Sequence, residues 1–136
     1  MTRRVRFLSA EQIIEIHRVL IERWGGTAGG GHRGAGYEGV DAAVQAVKNS
    51  YYETREELGA AYAVYIVQGH VFLDGNKRAG AAAMLAFLEA NGVRVRLSAD
   101  EIAAMMIELQ RRAEAGDDPG ALVRWIAANI TPRRRA

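Results

Sequence analysis

The sequence predicts an all-α protein: a compact bundle of about six helices in a single domain spanning residues 1–136. Three observations lead there. Apolar residues recur at three- and four-residue spacing through most of the chain. The boundaries between those runs carry helix-capping and helix-stopping residues. A length of 136 residues, 49% of them hydrophobic and 25% charged, suits one water-soluble core that folds without staples.

Each element can be justified in order. Ser9-Ala10-Glu11-Gln12 is a capping box, in which the Ser9 hydroxyl accepts an orphan N–H and Gln12 reaches back. Ile13, Ile16, His17, Leu20 and Trp24 follow at helical spacing, and Gly25-Gly26 ends the run. Thr27 to Gly39, crowded with glycine, reads as a long loop of a kind that is often functional. Val40, Ala43, Val44 and Val47 mark a short second helix. Thr54 to Glu57 is another capping box, opening a helix with Leu58, Ala61, Tyr62, Tyr65 and Ile66 on one face and an end near Gly69. Asn76 or Lys77 begins an alanine-rich helix through Met84, Leu85 and Leu88, stopped by Asn91-Gly92. Within it, Ala79, Gly80, Ala81 and Ala82 allow close approach of either a neighbouring backbone or a ligand. Gly80 costs about 1 kcal/mol of helix propensity relative to alanine, so something offsets it. Val93, Val95 and Leu97 alternate with Arg94 and Arg96, the pattern of a short extended piece. Ser98 to Glu101 caps a helix bearing Ile102, Met105, Met106 and Leu109. Asp118-Pro119 supplies an N-cap and a first-turn proline for a last helix with Leu122, Val123, Ile126 and Ile130.

Composition excludes several classes. With no cysteine there is no disulfide scaffold, thiol nucleophile or cysteine-ligated zinc. The net charge is only +2, and the short clusters at Arg3, Arg4 and Arg6 and at Arg133, Arg134 and Arg135 read as solvated tails. No direct nucleic-acid binding is expected. No stretch approaches the ~18 apolar residues of a membrane span, and the basic start lacks the apolar run of a signal peptide. The expectation is a cytoplasmic protein.

The chemistry is concentrated in His70-Val71-Phe72-Leu73-Asp74-Gly75-Asn76-Lys77-Arg78, between two apolar helices. A histidine can take a proton from an attacking hydroxyl near neutral pH. Asp74 is a hard oxygen ligand of the kind Mg²⁺ takes alongside nucleotide phosphates. Gly75 lets the backbone approach an anion, and a helix N-terminus presents free N–H groups to it. Lys77 and Arg78 add full charges, with arginine able to grip phosphate bidentately. Each residue alone has a commonplace structural role: a helix cap, a turn, a solvated pair. Together and in this order they form the base, metal ligand and anion cradle that phosphoryl transfer needs. A Walker A loop is excluded, because Asn76 rather than glycine precedes Lys77 and Arg78 follows it. His17, His32 and His70 are too scattered in sequence to suggest a local metal cluster.

The stretch HVFLDGNKR resembles the H-x-F-x-(D/E)-G-N-x-R signature of the Fic/Doc superfamily, most closely its Doc (death-on-curing) branch of toxin–antitoxin toxins. The likeness extends from about Leu8 to Val95, through the LSAEQIIEIHRVLIERWGG opening, the glycine loop and FLEANGV. The resemblance implies a Fic/Doc-like fold with His70 as the catalytic histidine and Phe72 as the buried anchor of the motif. It implies Asp74 at the Mg²⁺, and Gly75, Asn76, Lys77 and Arg78 as the nucleotide- and phosphate-binding end, Arg78 also serving catalysis. Fic adenylyltransferases usually carry glycine after the asparagine and a second arginine three residues after the first; Lys77 and Ala81 stand there instead. The Asn-Lys-Arg form is that of Doc. The implied function is therefore an ATP- and Mg²⁺-dependent protein kinase, phosphorylating a hydroxyl of translation elongation factor Tu and inhibiting translation. The alternatives are adenylyl or other nucleotidyl transfer by the same site, and an idle binding module of the same fold.

Two further expectations concern the surroundings. The Thr27–Gly39 loop is either a lip over the site that helps dock the protein target, with Arg33 near a phosphate, or a plain surface connection. Many Fic proteins restrain themselves with [S/T]-x-x-x-E-[G/N]; no serine or threonine here has glutamate four residues later. Restraint is therefore expected from a second chain, a small cognate antitoxin whose disordered C-terminal segment folds beside the motif.

Overall fold

The computed structural model describes residues 4–25, 35–72 and 74–130. Six α-helices are present among them: α1 (Ala10–Trp24), α2 (Val40–Lys48), α3 (Arg55–Gly69), α4 (Asn76–Ala90), α5 (Ala99–Glu114) and α6 (Pro119–Ile130). No strand occurs among the described residues, so the fold is all-α.

The helix starts follow from local chemistry. Ser9, Thr54 and Ser98 each accept from the N–H three residues on, and Gln12, Glu57 and Glu101 reach back to complete three capping boxes. Asp118 Oδ2 accepts from the Ala121 N–H at 3.0 Å and caps α6. The helix α4 differs: its N-cap, Gly75, offers no side-chain hydrogen bond.

α3 is the axis of the bundle, packed by α2, α4, α5 and α6. The sequence shows one apolar face on this helix; the structure buries it all round, from Leu58 through Tyr62 and Val64 to Val67. A helix surrounded by others has no face to give to water. α3 and α4 form an antiparallel hairpin brought close by two glycines. A Cβ on Gly59 would sit 2.8 Å from Leu88 Cγ, and one on Gly80 would sit 3.0 Å from Val67 Cγ2 and 3.3 Å from the Ala63 carbonyl oxygen. Packing thus accounts for Gly80 in a helix interior.

The segment before α1 is tied down by two polar side chains. The buried Tyr62 hydroxyl accepts from the Leu8 N–H at 2.9 Å and faces the Leu8 carbonyl at 3.3 Å. Asn91 accepts from the Arg6 N–H at 2.7 Å and donates to the Arg6 carbonyl at 2.9 Å. Each thereby supplies partners that a neighbouring strand would otherwise provide.

Residues 93–97 keep the expected alternation, with Val93, Val95 and Leu97 half-buried and Arg94 and Arg96 exposed, and belong to no helix or strand. Two expectations need correction. The end of the expected Thr27–Gly39 loop is a π-helical turn, Ala35–Gly39, running directly into α2. Residues 27–34 of that loop, with His32 and Arg33, lie outside the described residues, as do Gly26, Arg3 and the arginines at 133–135. Trp24, read as part of the apolar stripe of α1, is 61% exposed, whereas Ile21 is buried. Among the described residues, the last turn of α1 has run past the elements that cover the rest of its face. No helix among the described residues is long and apolar enough to cross a membrane.

Candidate active site

The nine-residue motif is the turn of the α3–α4 hairpin. α3 ends at Gly69, and its C-cap, His70, takes the left-handed conformation at φ 46°. It is the one non-glycine residue with positive φ among those described. Such a cap is usually glycine, because a Cβ is strained there. The strained cap lifts the His70 side chain onto the surface, where it is exposed.

Beyond His70 the chain dives inward. Val71 and Phe72 are buried, at 5% and 4% exposure. The Phe72 ring stacks on the His17 imidazole of α1, with centroids 3.7 Å apart and planes 2° from parallel. His17, itself buried, places Nε2 2.8 Å from the Asp74 carbonyl oxygen. A carbonyl only accepts, so His17 carries a proton on Nε2 and donates it. One side chain thus grips the turn twice, by ring stacking and by a hydrogen bond.

A second clamp comes from within the motif. Asn76 Oδ1 accepts from the Phe72 N–H at 3.0 Å, and Asn76 Nδ2 donates to the Phe72 carbonyl at 2.9 Å. The resemblance implies Asn76 among the phosphate-binding residues; in the structure its carboxamide is hydrogen-bonded to the Phe72 backbone. What Asn76 can still offer an anion is its backbone N–H, at the start of α4.

The functional end of the turn is more open. Asp74 is exposed, and its Oδ1 accepts from the Gly75 N–H at 2.8 Å. Gly75 has φ +79°, and a Cβ there would lie 3.4 Å from Ile21 Cδ1 and 3.6 Å from His17 Nε2. Glycine therefore serves both the backbone conformation and the contact with α1. Lys77 and Arg78 are exposed on the first turn of α4. Lys77 Nζ donates to Gln110 Oε1 of α5 at 2.7 Å. Among the described residues, Arg78 makes no ion pair.

A cleft of about 370 Å³ is lined by Asp74, Gly75, Asn76, Lys77 and Arg78 together with Trp24 at the end of α1 and its C-cap Gly25; His70 is not part of its lining. That volume is within the range of small-ligand sites. The uncapped first turn of α4 and two cations give its floor the character of an anion site. A larger cleft of about 670 Å³, among Arg4, Arg6, Arg55, Glu89 and Asn91, sits at the opposite end of the hairpin and contains no motif residue.

No group of three or more histidine, cysteine, aspartate or glutamate side chains able to hold a metal occurs among the described residues. Asp74 alone, exposed beside the anion floor, fits the way Mg²⁺ is usually held, by one or two carboxylates plus substrate phosphates and water.

The structure thus brings His70, Asp74, Gly75, Lys77 and Arg78 to one short turn. It adds His17 and Trp24, which sequence reading left among the apolar positions of α1. A histidine in an otherwise apolar stripe was the available signal, since a buried imidazole must find a polar partner.

Comparison with known proteins agrees with this architecture. The model of the Fic/DOC family matches residues 7–88, from the segment before α1 to near the end of α4. A protein from Escherichia phage P1 named protein kinase Doc is 38% identical over 93 residues, covering 67% of this chain and 72% of that protein. With its motif on the helical turn described above, the chain belongs to the Fic/DOC family, on the Doc branch.

Proposed function

We propose that this chain is the toxin of a bacterial toxin–antitoxin module. In this reading it is a protein kinase that uses ATP and Mg²⁺ to phosphorylate a hydroxyl of a translation elongation factor, Tu by resemblance. The observation that carries the reading is the turn itself. An exposed histidine and an uncapped, doubly cationic helix N-terminus are held a few residues apart by two independent clamps. The name of the phage relative supports phosphoryl over nucleotidyl transfer.

In this mechanism the triphosphate binds along the first turn of α4. Backbone N–H groups and Arg78 neutralise its charge there, and Lys77 contributes by exchanging Gln110 for an anion. Asp74 would hold Mg²⁺, which when bound screens the phosphate charge and eases departure of the leaving group. His70 receives the proton of the acceptor hydroxyl as its oxygen bonds to the γ-phosphorus. The bond from that phosphorus to the β–γ bridging oxygen breaks, and ADP leaves. His70 then returns its proton to solvent. Positioning supplies most of the rate, since both reactants meet on a turn that does not have to organise itself during the reaction.

The test is the intact mass of elongation factor Tu after incubation with this chain and Mg-ATP. Gain of a phosphoryl group is expected. Gain of AMP would move the assignment to nucleotidyl transfer. An unmodified factor together with retained Mg-ATP binding would leave an idle binding module. Restraint is assigned to a small cognate antitoxin.

A further inference from the structure

We propose that Trp24 is the platform on which the purine base of the nucleotide stacks, a role that rests on the cleft being the nucleotide site proposed above. His17, Ile21 and Trp24 lie four and three residues apart and so share one stripe of α1. The motif loop covers the first two, at 5% and 7% exposure, and leaves Trp24 at 61%. The largest apolar side chain of the stripe is therefore left largely in water, where it lines the same cleft as Asp74, Gly75 and Arg78. The cleft's lining thus combines a cationic helix N-terminus with an exposed indole. That pairing is complementary to an elongated ligand with an anionic end and a flat aromatic end, which describes a purine nucleoside triphosphate. An indole face stacks on purines without needing a hydrogen-bond code. Trp24 is thus a base-binding residue, while the motif takes the phosphates.

The chain has two tryptophans, and they can be told apart. Trp125, on α6, is half-buried with the Arg112 guanidinium 4.2 Å from its ring centroid. Binding of Mg-ATP to the full chain should quench indole fluorescence, and the quench should vanish in Trp24→Phe but persist in Trp125→Phe. By calorimetry, Trp24→Leu should bind Mg-ATP about 10-fold more weakly, the scale of one base–aromatic stack. The same variant should bind Mg-tripolyphosphate, which has no base, as wild type does. Circular dichroism of Trp24→Leu should match wild type, because the residue is mostly exposed. Equal Mg-ATP affinity in Trp24→Leu and wild type would overturn the proposal, including where that variant loses affinity only for a protein partner. An equal loss of tripolyphosphate affinity would overturn it too, since the indole would then act through the phosphate floor. Failure of wild type to bind Mg-ATP at all would instead refute the nucleotide reading from which this one starts.

Discussion

At the residue scale, two histidines divide the work. His70 is exposed and in the proposed mechanism takes the acceptor's proton, whereas His17 is buried and holds the turn. His70→Ala should lower transfer by ~10²–10⁴-fold, the usual worth of a general base. Its circular dichroism and Mg-ATP affinity should stay near wild type, and near-normal transfer would remove His70 from the mechanism. Arg78→Ala should weaken Mg-ATP binding in calorimetry more than Lys77→Ala, because the lysine already has Gln110 as a partner. Equal losses would show that the lysine leaves Gln110 and grips phosphate as firmly as Arg78. His17→Phe keeps an aromatic ring against Phe72 but removes the hydrogen bond that His17 donates to the Asp74 carbonyl. A loss of about 1–3 kcal/mol in chemical denaturation is expected, with faster amide exchange at Gly75. Unchanged exchange there would mean that the turn does not depend on the hydrogen bond. The chemistry of His70 and Arg78 was legible because their identities and spacing are local. The role of His17 was not: its partner is a backbone oxygen 57 residues away, and a main-chain atom leaves no mark in sequence.

At the element scale, helix ends were readable and helix surroundings were not. The boxes at Ser9, Thr54 and Ser98 depend on residues within one turn, so pattern alone locates them. Thr54→Ala should cost about 1 kcal/mol of stability, measured by urea denaturation; no loss would show that tertiary packing alone holds the start of α3. That α3 would be enclosed on every side depends on where four other helices go, which no single helix encodes. The same holds for residues 93–97, whose alternation reflects a half-buried path without naming a partner. Gly59 and Gly80 set the separation of the α3–α4 hairpin and thereby the span of the motif turn. Gly59→Ala should destabilise by about 1–3 kcal/mol through overpacking against Leu88. A variant as stable as wild type would show that Leu88 can move aside freely.

For the whole molecule, Tyr62 joins the central helix to the segment before α1 and makes the fold sensitive to alkali. Burial pushes its hydroxyl from an ordinary 10.0 up to about 12. The neutral form is the one the fold favours, so the stability Tyr62 contributes is complete below pH 10 and lost as pH rises through about 12. Wild type should exceed Tyr62→Phe in thermal stability at neutral pH, and the gap should close across that window; a constant gap would contradict the assignment. The bundle and its motif were legible from the sequence because both are written in short-range patterns. The cleft was not, since it forms only where α1 outruns the turn that covers it. In cells, expression of this chain alone should arrest growth, and the cognate antitoxin should relieve the arrest; harmless expression of folded protein would count against the toxin reading. The central claim is transfer of the γ-phosphate by the turn that carries His70. The most direct measurement incubates wild type and His70→Ala with elongation factor Tu and ATP labelled at either the α or the γ phosphorus. The account predicts label on the factor from γ-labelled ATP only, with wild type only. Label from the α position, or equal γ-label with His70→Ala, would contradict it.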